Sequence, residues 1–263
     1  MISPDGFGAH LNAVLGDPST AVLATDFDGT LAPIVADPQT STPIPGAMEC
    51  LERLGTVLGE VAIISGRPIE YLQQWAPESV SLFGLYGLQA RRHGERTDHP
   101  DAANWIDSVQ MSSQLFEDST LPLNVERKKY SLTVHYRSAP EVADQVARLA
   151  AEVSNQYGLM VRPAKASLEL HPPIDEDKGT TVQRIAGDYS GAVIFAGDDV
   201  GDLPAFAALK AIAESGRPTV AMAVDSSEVS PGVLGAADYV AEGPDGVLSG
   251  FMQVLESARN ARS

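Results

Sequence analysis

The chain has 263 residues, 18 Lys and Arg against 35 Asp and Glu, and a net charge of −17 with neutral His. With 44% hydrophobic and 20% charged residues, general disorder is excluded, and the length fits one large domain or two small ones. A pI near 4.5 leaves no basic excess to neutralise phosphates, which argues against a nucleic-acid partner.

No basic or apolar leader opens the sequence, no apolar run is long enough for a bilayer, and no solenoid repeat is visible. The single cysteine, Cys50, cannot form an internal disulfide and suits a reducing cytoplasm. The residues leave oligomeric state open, with a monomer favoured.

In chain order, the first apolar run is Ala21-Val22-Leu23-Ala24-Thr25, and it leads straight into Asp26-Phe27-Asp28-Gly29-Thr30. Continuous apolar runs of this length read as strands buried on both faces. Ligand sites in open α/β sheets lie beyond the carboxyl ends of such strands. Two carboxylates two positions apart can both line such a site while Phe27 turns to the core. A solvated Asp-Gly turn is the plainer reading, but it does not require the second aspartate.

A helical pattern over 45–58 precedes the second run, Val61-Ala62-Ile63-Ile64, which ends in Ser65-Gly66-Arg67-Pro68. There Ser65 either caps the helical pattern of 68–75 or donates to an anion at its start. The third run, Val80-Ser81-Leu82-Phe83, ends in Gly84-Leu85-Tyr86-Gly87-Leu88-Gln89.

The middle of the chain changes character. A helix is predicted near 101–117. Leu132, Val134 and Tyr136 then alternate with Ser131, Thr133, His135 and Arg137, and Leu168 and Leu170 with Ser167, Glu169 and His171. Period-2 alternation means a sheet with one buried and one wet face. Val142, Val146, Leu149, Val153 and Tyr157 form one helical stripe between them. We therefore expect an α+β module over 91–172 inserted into a parallel α/β domain made of 1–90 and 173–263. The insert holds 10 basic and 11 acidic residues, against 8 and 24 elsewhere. Ordinary surface chemistry and contacts to an anionic ligand explain that contrast equally well.

Lys178 opens a helical pattern over 179–186 after three acidic residues, which local charge balance would also explain. The fourth run, Val193-Ile194-Phe195-Ala196, ends in Gly197-Asp198-Asp199-Val200-Gly201-Asp202. Helix capping accounts for one of these aspartates, not for five across two strand ends. All-oxygen donors of this kind suit Mg²⁺. Helical patterns over 201–209 and 245–258 flank a fifth run, Thr219–Val224. Strand and helix alternate throughout, which predicts an α/β fold with a doubly wound parallel sheet.

These four segments, in this order and at strand ends, resemble the four motifs of the haloacid dehalogenase (HAD) superfamily. The resemblance implies a Rossmann-like HAD core with a C2-type α+β cap inserted between motifs II and III. Asp26-Phe27-Asp28-Gly29-Thr30-Leu31-Ala32-Pro33-Ile34, Ile64-Ser65-Gly66-Arg67-Pro68, Glu126-Arg127-Lys128-Lys129, His135-Tyr136-Arg137 and Leu168-Glu169-Leu170 narrow it to the trehalose-6-phosphate phosphatase family.

That resemblance implies Mg²⁺-dependent hydrolysis of trehalose 6-phosphate. Asp26 would be the nucleophile and Asp28 the general acid and base. Ser65 and Lys178 would hold the phosphoryl group. Asp26, Asp28 and Asp198 would be metal ligands, with Thr30, Gly66, Arg67, Asp199 and Asp202 in support. Glu126, Lys128 and Glu169 would bind the sugar. Parity on the cap strand makes Lys129 a rival of Lys128 and adds His135 and Arg137 to the same polar face. Tyr86 and Gln89 depart from the family's Gly-x-His/Asn-Gly-x-Glu pattern, so substrate identity turns on them more than reaction type does. The alternatives are another glycosyl phosphate, such as a sucrose or glucosylglycerate phosphate, a sugar phosphomutase, or a silent sugar-phosphate sensor.

Overall fold

The computed structural model describes residues 2, 4–35, 37–164, 166–225 and 229–262, and of Pro4 and Asp5 only the backbone. Two compact units emerge, one from Met1–Thr97 with Glu176–Ser263, the other from Asp98–Asp175.

The first unit begins with α1 (Pro4–Val14), β1 (Val22–Thr25), α2 (Ala47–Gly55), β2 (Glu60–Ile64), the single-turn α3 (Ile69–Leu72) and β3 (Ser81–Gly84). A hairpin of β4 (Gln89–Arg92) and β5 (Glu95–Asp98) follows. His93 and Gly94, both at positive φ, make its two-residue turn. The second unit holds α4 (Ile106–Glu117), β6 (Asn124–Arg127), β7 (Leu132–His135), α5 (Ala143–Tyr157), β8 (Met160–Ala164) and β9 (Ser167–His171). The chain then returns to the first unit through α6 (Lys178–Gly187), β10 (Val193–Gly197), α7 (Leu203–Glu214), β11 (Thr219–Asp225), α8 (Pro231–Gly235), β12 (Tyr239–Glu242) and α9 (Gly243–Ala261).

The large sheet has the order β12-β11-β10-β1-β2-β3-β4-β5. Its first six strands pair in parallel, and β4 runs antiparallel to β3. Alternate side chains serve two cores. Leu23, Val61, Ile63, Ile194 and Met222 pack with Phe7, Leu51, Leu54 and Phe251 of α1, α2 and α9. Val22, Ala62, Ile64, Phe195 and Ala223 pack with Val182, Ile185, Phe206 and Leu209 of α6 and α7. Both faces are covered, which is why these strands read as unbroken apolar runs.

Cys50 lies in the first core, where burial pushes its thiol up to about 11 and keeps it inert. From β1 the chain steps outward through β2 and β3, then returns on the other side of β1 as β10. The sheet order therefore reverses between β1 and β10, and the carboxyl ends of these two strands form the switch point at which open α/β sheets bind ligands.

The smaller sheet is antiparallel in the order β6-β7-β9-β8. Leu132, Val134, Leu168 and Leu170 pack against Val109 and Phe116 of α4 and Val146 and Val153 of α5. The opposite face is polar. Glu126, Thr133, Glu169 and Arg162 stand side by side across its four strands.

The second unit starts at Asp98, whereas the sequence places the insert's start at 91, because β4 and β5 extend the large sheet. The expected strand over 131–137 is limited to Leu132–His135, and β4, β5, β6, β8 and β12 have no counterpart among the sequence expectations. β8 carries Pro163 and an exposed Met160, which hide its alternation, and as an edge strand it tolerates the proline. No helix among the described residues is long and apolar enough to cross a membrane.

Candidate active site

Asp26 sits just past β1, with its amide bonded across the strand crossover to the Ala196 carbonyl at 2.8 Å. That bond ties the end of β1 to β10 and sets the carboxylate at the switch point. Opposite it, Asp198 follows β10. Gly29 lies between them at φ +82°, and a Cβ there would fall 2.2 Å from Asp198 Oδ2. Only glycine provides both that backbone and that space.

Lys178, at the start of α6, is buried and bridges two carboxylates. Its Nζ is 2.8 Å from Asp26 Oδ1 and 2.6 Å from Asp202 Oδ1. Burial alone would lower the lysine's pKa, but Asp202 and then Asp26 hold it well above its ordinary value, so the ammonium stays charged. Burial raises Asp26 well above the usual carboxylate range despite Lys178, with Asp202 and Asp198 adding to the rise. Burial raises Asp202 likewise. Two carboxylates therefore share one ammonium, and the Asp198 carboxylate lies beside them.

Ligand atoms of Asp26, Asp198 and Asp202 lie within 4.8 Å of one another, so this buried trio could hold a metal ion. Within the trio Asp202 is already committed. Its Oδ1 accepts from Lys178, and its Oδ2 accepts from the Asp198 and Asp199 amides at 2.9 and 3.0 Å. Asp199 in turn accepts from the Gly201 amide at 2.7 Å, which shapes the turn into α7. Asp26 and Asp198 are the better-suited donors.

The Asp28 side chain, expected among the metal ligands, is not part of this trio. Arg67 holds it with two parallel bonds, Nε to Oδ2 at 2.7 Å and Nη2 to Oδ1 at 2.8 Å. The guanidinium stacks on Tyr71 at 4.4 Å, and the Tyr71 hydroxyl is anchored on the Ser41 carbonyl. Ser65 follows β2, with its amide bonded to Phe83 O at 2.9 Å and its Oγ accepting from the Arg67 amide at 3.2 Å. Gly66 is next to it, and Thr30 is fully buried with no partner for its Oγ1 among the described residues. Gln89 is also fully buried. Its Oε1 accepts from the Ile69 amide at 3.0 Å, which caps α3.

The polar face of the smaller sheet gathers most of the expected sugar-binding residues. Glu169 Oε1 accepts from Ser131 Oγ at 2.8 Å and lies 3.4 Å from Lys128 Nζ. Burial would raise Glu169, but Lys128 and Arg162 outweigh it and hold the carboxyl below its ordinary value. His135 Nε2 and Glu126 Oε2 are 3.0 Å apart.

Lys129 is placed elsewhere. Its Nζ bonds Asp98 Oδ2 at 2.6 Å and lies 4.8 Å above the Tyr130 ring. The parity argument does not decide between the two lysines, because residues 128–131 form the β6–β7 turn rather than strand. Arg137 lies exposed in the turn after β7.

Arg162, 3.6 Å from Glu169 Oε2, was missed from sequence together with its strand. The Asp28–Arg67 clamp was also missed, since nothing local joins residues so far apart in the chain.

A family model described as trehalose-phosphatase matches residues 24–237. The trehalose-phosphate phosphatase of Mycobacterium leprae is 32% identical over 211 residues, covering 74% of this chain and 49% of that protein. The trehalose-phosphate phosphatase of Mycobacterium avium is 31% identical over 227 residues, covering 81% and 57%. The chain thus spans about half the length of the curated relatives it matches.

Among solved structures, the C-terminal domain of C. albicans trehalose-6-phosphate phosphatase superposes with a TM-score of 0.77 at 23% identity, over 95% of each chain. A haloacid dehalogenase-like hydrolase from Bacteroides thetaiotaomicron superposes with a TM-score of 0.61 at 15% identity, over 89% of this chain and 99% of that one. These likenesses establish the fold, a Rossmann-like α/β core with an α+β insert.

Proposed function

The chain belongs to the trehalose-phosphatase family, and from that premise we propose that it hydrolyses trehalose 6-phosphate to trehalose and phosphate with Mg²⁺. The observation that carries this reading is the Lys178 ammonium bridging Asp26 and Asp202 at the sheet's switch point, with Asp28 held beside them by Arg67.

Asp26 attacks phosphorus, a P–O bond forms to its carboxylate, and the bond to the sugar oxygen breaks. Asp28 gives that oxygen its proton, then takes one from the water that cleaves the aspartyl-phosphate. Ser65 and Lys178 hold the phosphoryl oxygens as charge develops, so no solvent reorganisation is needed at that moment. Arg67 engages both Asp28 oxygens, so this clamp has to open for Asp28 to exchange protons with the sugar oxygen and the water. Asp199 and Asp202 position the loop after β10 and the lysine. Thr30 and Gly66 shape the two turns.

Asp26, Asp198 and the Asp28 backbone carbonyl would hold Mg²⁺. Bound there, the ion supplies Lewis-acid charge neutralisation between nucleophile and phosphate. The all-oxygen donor set and the clustered carboxylates fit that ion.

On the cap, Glu126, His135, Glu169 and Lys128 bind the disaccharide hydroxyls, with Arg137 at the edge of the patch. Lys128 takes precedence over Lys129, because Lys128 adjoins Glu169 while Lys129 is committed to Asp98. A buried, unpaired Cys50 accords with a cytoplasmic enzyme. The presence of Tyr86 and Gln89 favours another glycosyl phosphate as the second reading.

The test is phosphate release from trehalose 6-phosphate, sucrose 6-phosphate, glucose 6-phosphate and glucosylglycerate phosphate, each with Mg²⁺ and with EDTA. We expect selective release from trehalose 6-phosphate, abolished by EDTA. Asp26→Asn should lower turnover by roughly 10³-fold or more while remaining folded. Release from a different sugar only would move the substrate assignment. Binding without turnover would favour the sensor.

A further inference from the structure

Leu85 and Tyr86 are consecutive non-glycine residues at positive φ, 51° and 59°. Such backbone is sparsely populated for bulky side chains, while Asn and His enter it more readily. The surrounding structure enforces it here. The Leu85 amide bonds Arg67 O at 3.0 Å, and the Tyr86 amide bonds Ser65 O at 3.0 Å. From the other side, Thr181 Oγ1 on α6 donates to the Tyr86 carbonyl at 3.3 Å.

This backbone aims the ring along the Ser65–Gly66 turn. A Cβ on Gly66 would lie 2.8 Å from both Tyr86 Cζ and its hydroxyl oxygen. The contact is therefore made by the polar end of the ring, and Gly66 has no side chain where that end packs. The half-buried phenol thus packs on the turn that carries Ser65, one of the groups assigned to the phosphoryl oxygens. Its ring excludes water and its O–H is a donor.

We infer that Tyr86 is a phosphoryl-binding residue, its hydroxyl donating to an oxygen of the transferring phosphate next to those held by Ser65 and Lys178. The inference rests on the phosphatase reading and adds a donor to that site. A phenol reaching the phosphate from a strained turn also narrows the space left for the group esterified to it, which makes the same residue a determinant of substrate choice.

The experiment compares wild type, Tyr86→Phe and Tyr86→His. It measures orthovanadate affinity in the presence of Mg²⁺, kcat and KM on trehalose 6-phosphate and on p-nitrophenyl phosphate, and melting temperature. Tyr86→Phe keeps the ring over Gly66 and removes only the donor. It should weaken orthovanadate and lower kcat/KM on both substrates by roughly 10- to 100-fold, the range for one hydrogen bond to a charged oxyanion. Tyr86→His restores a donor on a residue suited to this backbone, and should recover part of the loss.

Unchanged orthovanadate affinity in Tyr86→Phe overturns the inference, including the case where only sugar-phosphate turnover falls, since the ring then serves the sugar alone. If wild type cleaves p-nitrophenyl phosphate but not trehalose 6-phosphate, the substrate assignment fails while the orthovanadate comparison still decides the role of Tyr86. Wild type that binds no orthovanadate overturns both.

Discussion

At the scale of single residues, the site is made by what is left out as much as by what is present. Gly29 has no Cβ, so the Asp198 carboxylate can sit where one would be. Gly197 does the same for Asp202, whose Cγ would be 2.3 Å from an added Cβ. Gly29→Ala should therefore fold, at a cost of about 1 kcal/mol for the left-handed backbone, and should displace Asp198. We expect kcat/KM to fall by roughly 10²-fold, the consequence of an ångström-scale misplacement, with a higher Mg²⁺ requirement in a metal titration of turnover.

The candidacy of Asp26, Asp28, Asp198 and Lys178 was legible in sequence because each follows a strand or opens a helix of unmistakable pattern. The specific partners were not legible. Arg67 meets Asp28 across 39 positions and Lys178 meets Asp202 across 24, and no local periodicity encodes such pairs.

At the scale of elements, the five apolar runs became β1, β2, β3, β10 and β11 within a residue or so of their expected bounds. The elements that escaped are α1, α8, β12 and several partly exposed strands. β4, β5 and β6 carry charged or polar residues on both faces, and their alternation is correspondingly weak, while in β8 the proline and an exposed Met160 mask it. The hairpin of β4 and β5 is joined to the sheet by an ion network. Glu60 of β2 is buried and accepts from Arg92 of β4 at 3.0 Å and from the Tyr189 hydroxyl at 2.8 Å. Burial raises the Glu60 pKa, but bonds from Arg92, Ser81 and Tyr189 more than offset it and hold the carboxyl below its usual 4.5.

A folded-state pKa below the unfolded one means the stabilisation is present above about pH 4.5 and is lost as pH falls through the folded value. Glu60→Gln should cost about 2 kcal/mol at pH 7 by leaving Arg92 half-paired. Its deficit against wild type should shrink in urea titrations taken below pH 4.

At the scale of the whole molecule, a parallel sheet with its carboxylates at one end is joined in sequence to an antiparallel unit with one polar face. The proposed reading divides chemistry and recognition between these two units. Glu169→Gln should raise KM for trehalose 6-phosphate by about tenfold or more, since it uncouples Lys128 and Arg162, while p-nitrophenyl phosphate turnover changes by less than about twofold. Equal losses on both substrates would place Glu169 in the chemistry instead.

Local pattern alone dictated the α/β class, the inserted α+β module and the strand ends that carry carboxylates, because periodicity and burial are properties of neighbouring residues. Three-dimensional packing settled which of two adjacent lysines adjoins Glu169, that Asp202 is spent on Lys178 and two amides, and that Arg67 clamps Asp28. Those outcomes depend on turns and crossovers that bring distant segments within 3 Å or so of one another, where burial and hydrogen bonding set the chemistry of each group.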